Sequence, residues 1–181
     1  MEERCKEVLS EAEAREWLAA AQPEAKEREM KVRFDLVNES AVSFARDHGG
    51  ELTRKWLLPG LADSALNQLR ALVVQAIQEG WSVRQLGAKI ETAWGIARML
   101  ADTAATTEIA SAQENGTLIG WRQSQVVRAK CWSPGSERKA PDACDQNAAA
   151  GEIPIDQPFP SGVLTPPAHT GCSCCLSAVI K

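Results

Sequence analysis

The chain has 181 residues, of which 44% are hydrophobic and 24% charged. Those are the proportions of an ordinary globular protein and exclude general disorder, collagen-like repeats and coiled-coil filaments. No apolar run reaches the ~18 residues that cross a bilayer, and the first twenty residues intersperse charge where a signal peptide needs a continuous apolar stretch, which predicts a cytoplasmic protein with no membrane partner.

The net charge of −4, from 20 basic and 24 acidic residues, is unevenly spread. Residues 1–30 carry 5 basic and 9 acidic groups, residues 31–80 six of each, residues 81–140 eight and five, and residues 141–181 one and four. The acidic start reads as a solvated helix face. No block has the clustered Lys and Arg that duplex DNA requires, so nucleic acid is only a second choice of partner.

Residues 1–125 hold two of the nine prolines and are rich in good helix formers. A first helix is expected from Glu2 to Ala21, and a second from Glu24 to His48, with Met30, Phe34, Val37, Ala41 and Phe44 on one face and Gly49-Gly50 as its end. A third helix, capped by Asp63 or Ser64, brings Leu66, Leu69, Leu72, Val73, Ala76 and Ile77 to one side and closes on Gly80. Ser82 to Gln85 has the form of a capping box, so a fourth helix follows with Leu86 and Ile90 facing inward. The fifth and longest runs from Ile96 to Ser124, with Asn115-Gly116 as a weak point.

Beyond residue 125 the character changes. Val126 to Trp132 and Cys172 to Ile180 are β-prone and expected to pair, the strand near Trp132 against the strand near Leu176. Between them lie about forty residues without periodicity, far beyond the ~15 of an ordinary connection, and residues 131–181 hold seven of the nine prolines. Such a stretch needs a staple. The expected class is α+β, mainly α: an acidic N-terminal helix or arm (1–30), a helical region (31–125) and a Cys/His/Pro-rich C-terminal module (126–181) with short β-strands, residues 31–181 forming one domain.

Five of the six cysteines and one of two histidines crowd into that module. In a reducing cytoplasm this clustering favours a metal over disulfides. His169 and Cys172 have ligand-like spacing, Cys144 supplies a third group, and Cys174 or Cys131 completes the four that structural zinc prefers. A C-x-x-C pair would need a cysteine at 147, where the chain has Asn147. The alternative is a set of buried apolar thiols with a hydrogen-bonded imidazole.

The order of these features resembles the phage Mu protein F-like family of head morphogenesis, or minor capsid, proteins of tailed phages. The carrying residues are Phe44-Ala45 to Glu51-Leu52, Ala76 to Ser82 with Leu86 and Ile90, Thr106-Thr107-Glu108 with Asn115-Gly116, Lys130-Cys131-Trp132, Cys144, Gly151 to Phe159 with Gly162, and Pro166-Pro167-Ala-His169-Thr-Gly-Cys172-Ser-Cys174. The match spans about residues 35–181. Two positions depart from the pattern: Asn147 stands where many relatives have a second cysteine, and Ser173 where an arginine is usual. The resemblance implies a non-enzymatic protein of the phage head or host cytoplasm, acting in procapsid assembly on portal and capsid or scaffold proteins, with DNA inside the head as a further contact.

An adhesive role suits the six tryptophans. Trp17 and Trp56 are expected as exposed anchors, and Trp81, Trp94, Trp121 and Trp132 as core. Catalysis finds little support. His169 and Cys172 are too close in sequence to act across a substrate, and the metalloprotease and deaminase spacings are absent. Asp145, Glu152 and Asp156 are the general bases a metal-dependent hydrolase could use. Glu108 reads as a hydrogen-bonded brace between the long helix and the C-terminal loop, with Trp132 as a second structural residue. A zinc-stabilised DNA-binding module and a metal-dependent hydrolase are the competing readings.

Overall fold

The computed structural model describes residues 35–135 and 142–180. The first expected helix, the acidic arm, Trp17, Met30 and Phe34 lie outside the described residues. Helix α1 spans Asp35–His48 and buries Ala41, Val42 and Ala45. It ends at Gly50, whose φ of 84° is a left-handed conformation that glycine adopts without steric cost.

A short helix, α2, covers Glu51–Trp56, a span for which the sequence predicts no element. Its cap explains the miss. No side chain near in sequence caps it; the Glu108 carboxylate, more than fifty positions away, accepts from Gly50 N at 2.8 Å and Thr53 N at 2.7 Å. Trp56 is half-buried with the Lys55 ammonium 5.7 Å from its ring, so it is not the free anchor expected of it.

Helix α3, Asp63–Glu79, buries Leu66, Leu69, Val73, Ala76 and Ile77, and Gly80 closes it as expected. Its N-cap is Ala62 rather than Asp63 or Ser64. Asp63 lies one position inside, where a carboxylate suits the positive helix end, and it pairs with Arg54 at 2.8 Å. Helix α4, Val83–Trp94, opens on the expected Ser82–Gln85 capping box and buries Leu86 and Ile90.

Helix α5, Arg98–Ser124, has 27 residues, roughly 40 Å at 1.5 Å per residue. Ala101, Ala104, Ala105, Ile109 and Ala112 pack against α1, α3 and α4 in one core, and Leu118 belongs to a second core under the C-terminal module. One rigid rod therefore serves both. Asn115-Gly116 does not weaken it: the helix is unbroken, and Gly116 lets α1 pass, since a Cβ there would lie 2.7 Å from Ala41 N. The residue that looks like a helix fault is a packing requirement.

Strand β1, Val127–Ser133, pairs antiparallel with β3, Cys175–Ile180, with Trp132 opposite Leu176 as expected. The two-residue β2, Ile153–Pro154, pairs with the other edge of β1, giving the order β2-β1-β3. The long connection contains helix α6, Ala143–Ala149, opened by an Asp142–Asp145 capping box that the sequence reading missed. The class is α+β, mainly α. Among the described residues no helix is long and apolar enough to cross a membrane.

Candidate metal centre

The second core is assembled from all parts of the C-terminal region: Leu118 of α5, Trp132 of β1, Cys144 of α6, Ile153 of β2, Phe159, Cys172 and Cys174 of the loops, and Leu176 of β3. Trp132 is 3% exposed and meets Phe159 edge to face at 4.9 Å, which makes it the structural residue expected. The buried Lys130 amine donates to Leu164 O at 2.9 Å and lies 5.2 Å from the Phe159 ring. Desolvation, with Arg122 adding repulsion, brings its pKa down to about 8.

Inside this core Cys144, His169 and Cys172 each present a ligand atom, all within 4.8 Å of one another. The Cys144 and Cys172 sulfurs are 3.7 Å apart. Two thiolates on a tetrahedral ion with ~2.3 Å metal–sulfur bonds stand about 3.8 Å apart, so the pair already has the spacing that zinc imposes. Both residues are buried, at 0% and 1% exposure.

Each ligand is positioned by a local feature. Asp142 caps α6 by accepting from Cys144 N at 2.8 Å, which fixes the Cys144 side chain at the start of the helix. Cys172 accepts hydrogen bonds from the backbone at Cys174 and Ala168. In His169, Nδ1 donates to Thr170 O at 2.8 Å, and Nε2 stands 3.4 Å from the nearer Asp142 carboxylate oxygen. That Nε2 is buried without a hydrogen-bond partner although the ring as a whole is partly exposed. A backbone carbonyl holding one ring nitrogen while the other points inward is the outer support typical of a metal-bound histidine.

Without a cation the buried thiols stay protonated. Burial raises the Cys144 thiol pKa, and the neighbouring Cys172 and Cys174 thiols raise it further. Burial also raises Cys172, its two backbone hydrogen bonds pulling partly the other way. An apolar pocket resists several sulfur anions until a bound metal balances them. Cys174, 4% exposed, hydrogen-bonds with the Cys144 thiol and so borders the group without belonging to the tight triad. The donor set, soft sulfur with one imidazole, fits zinc chemistry.

The other sequence candidates fall elsewhere. Cys131 is disulfide-bonded, which removes it as an alternative ligand and runs against a fully reduced cysteine set. Asn147 does not face the sulfurs as a substitute ligand: its amide oxygen accepts from Ser161 N at 3.0 Å and its nitrogen donates to Ser161 Oγ at 2.8 Å, pinning the loop. Asp145 accepts from Asp142 N, Asp156 pairs with Arg122 at 2.8 Å and Glu152 with Arg128 at 2.9 Å. All three proposed bases thus have structural partners.

Glu108 is 2% exposed and is a brace, but it holds the α1–α2 turn and not the C-terminal loop. Its pKa is raised by burial, against which the two backbone donors act. The loop and the strand after it are tied to α5 by two other residues: Thr107 Oγ1 accepts from Gly171 N at 3.0 Å, and Glu114 Oε2 from Leu176 N of β3 at 2.9 Å. Thr107 sits within the Thr-Thr-Glu string, so that string braces both cores, one residue to each side.

Comparison with protein-family models, with curated proteins and with solved structures finds no match for this chain. The geometry therefore carries the functional argument.

Proposed function

We propose that this chain is a minor head protein of a tailed phage or prophage, acting in head morphogenesis through portal and capsid or scaffold proteins. Its C-terminal module is closed by one structural zinc ion on Cys144, His169, Cys172 and Cys174. The observation that carries the reading is the convergence of Cys144, His169 and Cys172 on a buried point between α6 and the loop before β3. The string with the strongest family resemblance thus has an architectural use.

That use favours an adaptor over an enzyme. With Cys174 as fourth ligand the ion would keep no open coordination position for substrate, and the carboxylates that would serve as general bases are engaged in a helix cap and two ion pairs. DNA binding is disfavoured too, because among the described residues Arg98, Arg122 and Arg128 each pair with a carboxylate. In place of Trp56, Met99 offers a partner an apolar contact at the start of α5, where it is 80% exposed.

Two measurements test the proposal. Untagged protein analysed for metal is expected to contain about one zinc per chain. Co-expressed with portal, capsid and scaffold proteins of a tailed phage, the chain is expected to co-sediment with one of them. Failure to associate with any of the three refutes the assembly role, and a metal-free preparation that cannot be loaded refutes the zinc.

A further inference from the structure

We propose that the Cys144–Cys172 pair closes the C-terminal module in two alternative ways, by sharing a metal ion or, when the metal is withdrawn under oxidising conditions, by forming a disulfide. The inference uses the geometry of the metal-centre reading and does not depend on the role in head assembly.

The two sulfurs are 3.7 Å apart, in van der Waals contact with no atom between them. Forming a bond of ~2.05 Å requires the sulfurs to approach by under 2 Å, a movement within reach of side-chain rotation at the end of a short helix and in a loop. The residues are 28 positions apart, so either closure ties α6 to the segment before β3 across the whole irregular connection. Both closures do the same mechanical work. They differ in the surroundings they need: metal with thiolates survives where thiols are kept reduced, and a disulfide survives outside the cell. The chain already uses disulfide chemistry at Cys131.

Cys174 also borders the Cys144 thiol, and a Cys174→Ser variant distinguishes that pairing. Cys172 and Cys174 are two positions apart, where an intervening single residue strains the ring. Cys175 is exposed, outside the buried group. With a peroxide as oxidant the balance is simple. One sulfur attacks a peroxide oxygen and becomes a sulfenic acid as water leaves; the second sulfur displaces the sulfenic oxygen, forming the S–S bond and releasing a second water. Two thiols lose two protons and two electrons, and the peroxide takes them up. Bound metal opposes this by drawing on one lone pair of each sulfur and lowering its nucleophilicity.

The test uses the full chain, loaded with zinc or stripped with a chelator, and treated with hydrogen peroxide. Residues 140–180 contain no Lys or Arg, so trypsin leaves Cys144, Cys172, Cys174 and Cys175 in one peptide; a glutamate-specific protease cuts after Glu152 and separates Cys144 from the other three. In stripped protein a disulfide joining the two fragments is expected, retained in Cys174→Ser and Cys175→Ser and lost in Cys172→Ser. In zinc-loaded protein its formation is expected to be about tenfold slower. A crosslink that runs through Cys174 or Cys175, or oxidation that yields only sulfinic and sulfonic acids, overturns the proposal. Equal rates with and without bound zinc overturn the competition between the two closures. Zinc content is measured separately, so a chain that never takes up metal refutes the metal reading while the crosslink result stands on its own.

Discussion

Replacing Glu108 with alanine tests whether two helices are locked by one buried carboxylate. The side chain is 2% exposed and accepts two backbone hydrogen bonds, at 2.7 and 2.8 Å, from the turn that starts α2. Removing it leaves Gly50 N and Thr53 N buried and unpaired, each at a cost of ~1–3 kcal/mol, and opens a small void. Against this stands the relief of no longer burying a carboxylate. A net loss of ~2–4 kcal/mol follows. Glu108→Gln keeps the volume and one acceptor but turns an amide NH2 toward the second N–H, so its loss is smaller, ~1–2 kcal/mol.

Urea unfolding followed by far-ultraviolet circular dichroism measures both. The pH dependence adds a sign. Burial raises the Glu108 pKa, so the folded state holds that proton more tightly than the unfolded chain. Wild-type stability relative to Glu108→Gln is therefore greatest below the ordinary carboxylate pKa and declines as pH rises through the raised one. An alanine variant within about 0.5 kcal/mol of wild type, or a wild-type advantage that grows with pH, refutes the clamp.

Three further outcomes are expected. Chelation should lower the thermal midpoint of the protein, and Cys144→Ser or His169→Ala should abolish bound zinc while Cys175→Ser leaves it unchanged; metal analysis beside calorimetry reads both, a site at 1,000 times its dissociation constant contributing about 4 kcal/mol. Asn147→Cys restores a C-x-x-C spacing yet should not tighten zinc binding, because Asn147 holds Ser161; a loss of ~1–3 kcal/mol in stability is the expected result, and a rise in zinc affinity would contradict the placement. Lys130, with its pKa lowered from 10.5 to about 8, binds its proton less tightly when folded, so wild-type stability should rise relative to Lys130→Met between pH 8 and 10.5, by up to ~3 kcal/mol; a flat difference in urea titrations across that range would show that the amine is solvated.

The helical half was legible in the sequence because its signals are local. Leu66, Leu69, Val73, Ala76 and Ile77 recur at helical spacing, Ser82–Gln85 caps from three residues away, and Gly80 stops a helix in its own left-handed conformation. The pairing of Trp132 with Leu176 was legible as well, since two β-prone runs had few other partners.

What escaped the sequence depends on groups brought together from far apart. The α2 helix exists where Glu108 caps it across more than fifty positions. Gly116 reads as a fault until α1 is laid against it, and Asn147 reads as a missing ligand until Ser161 arrives to take its amide. The composition named Cys144, His169 and Cys172 as metal-binding types. Their meeting within 4.8 Å was decided by the tertiary structure alone, because a coordination site is a set of distances and chain spacing constrains those distances only within a turn or two.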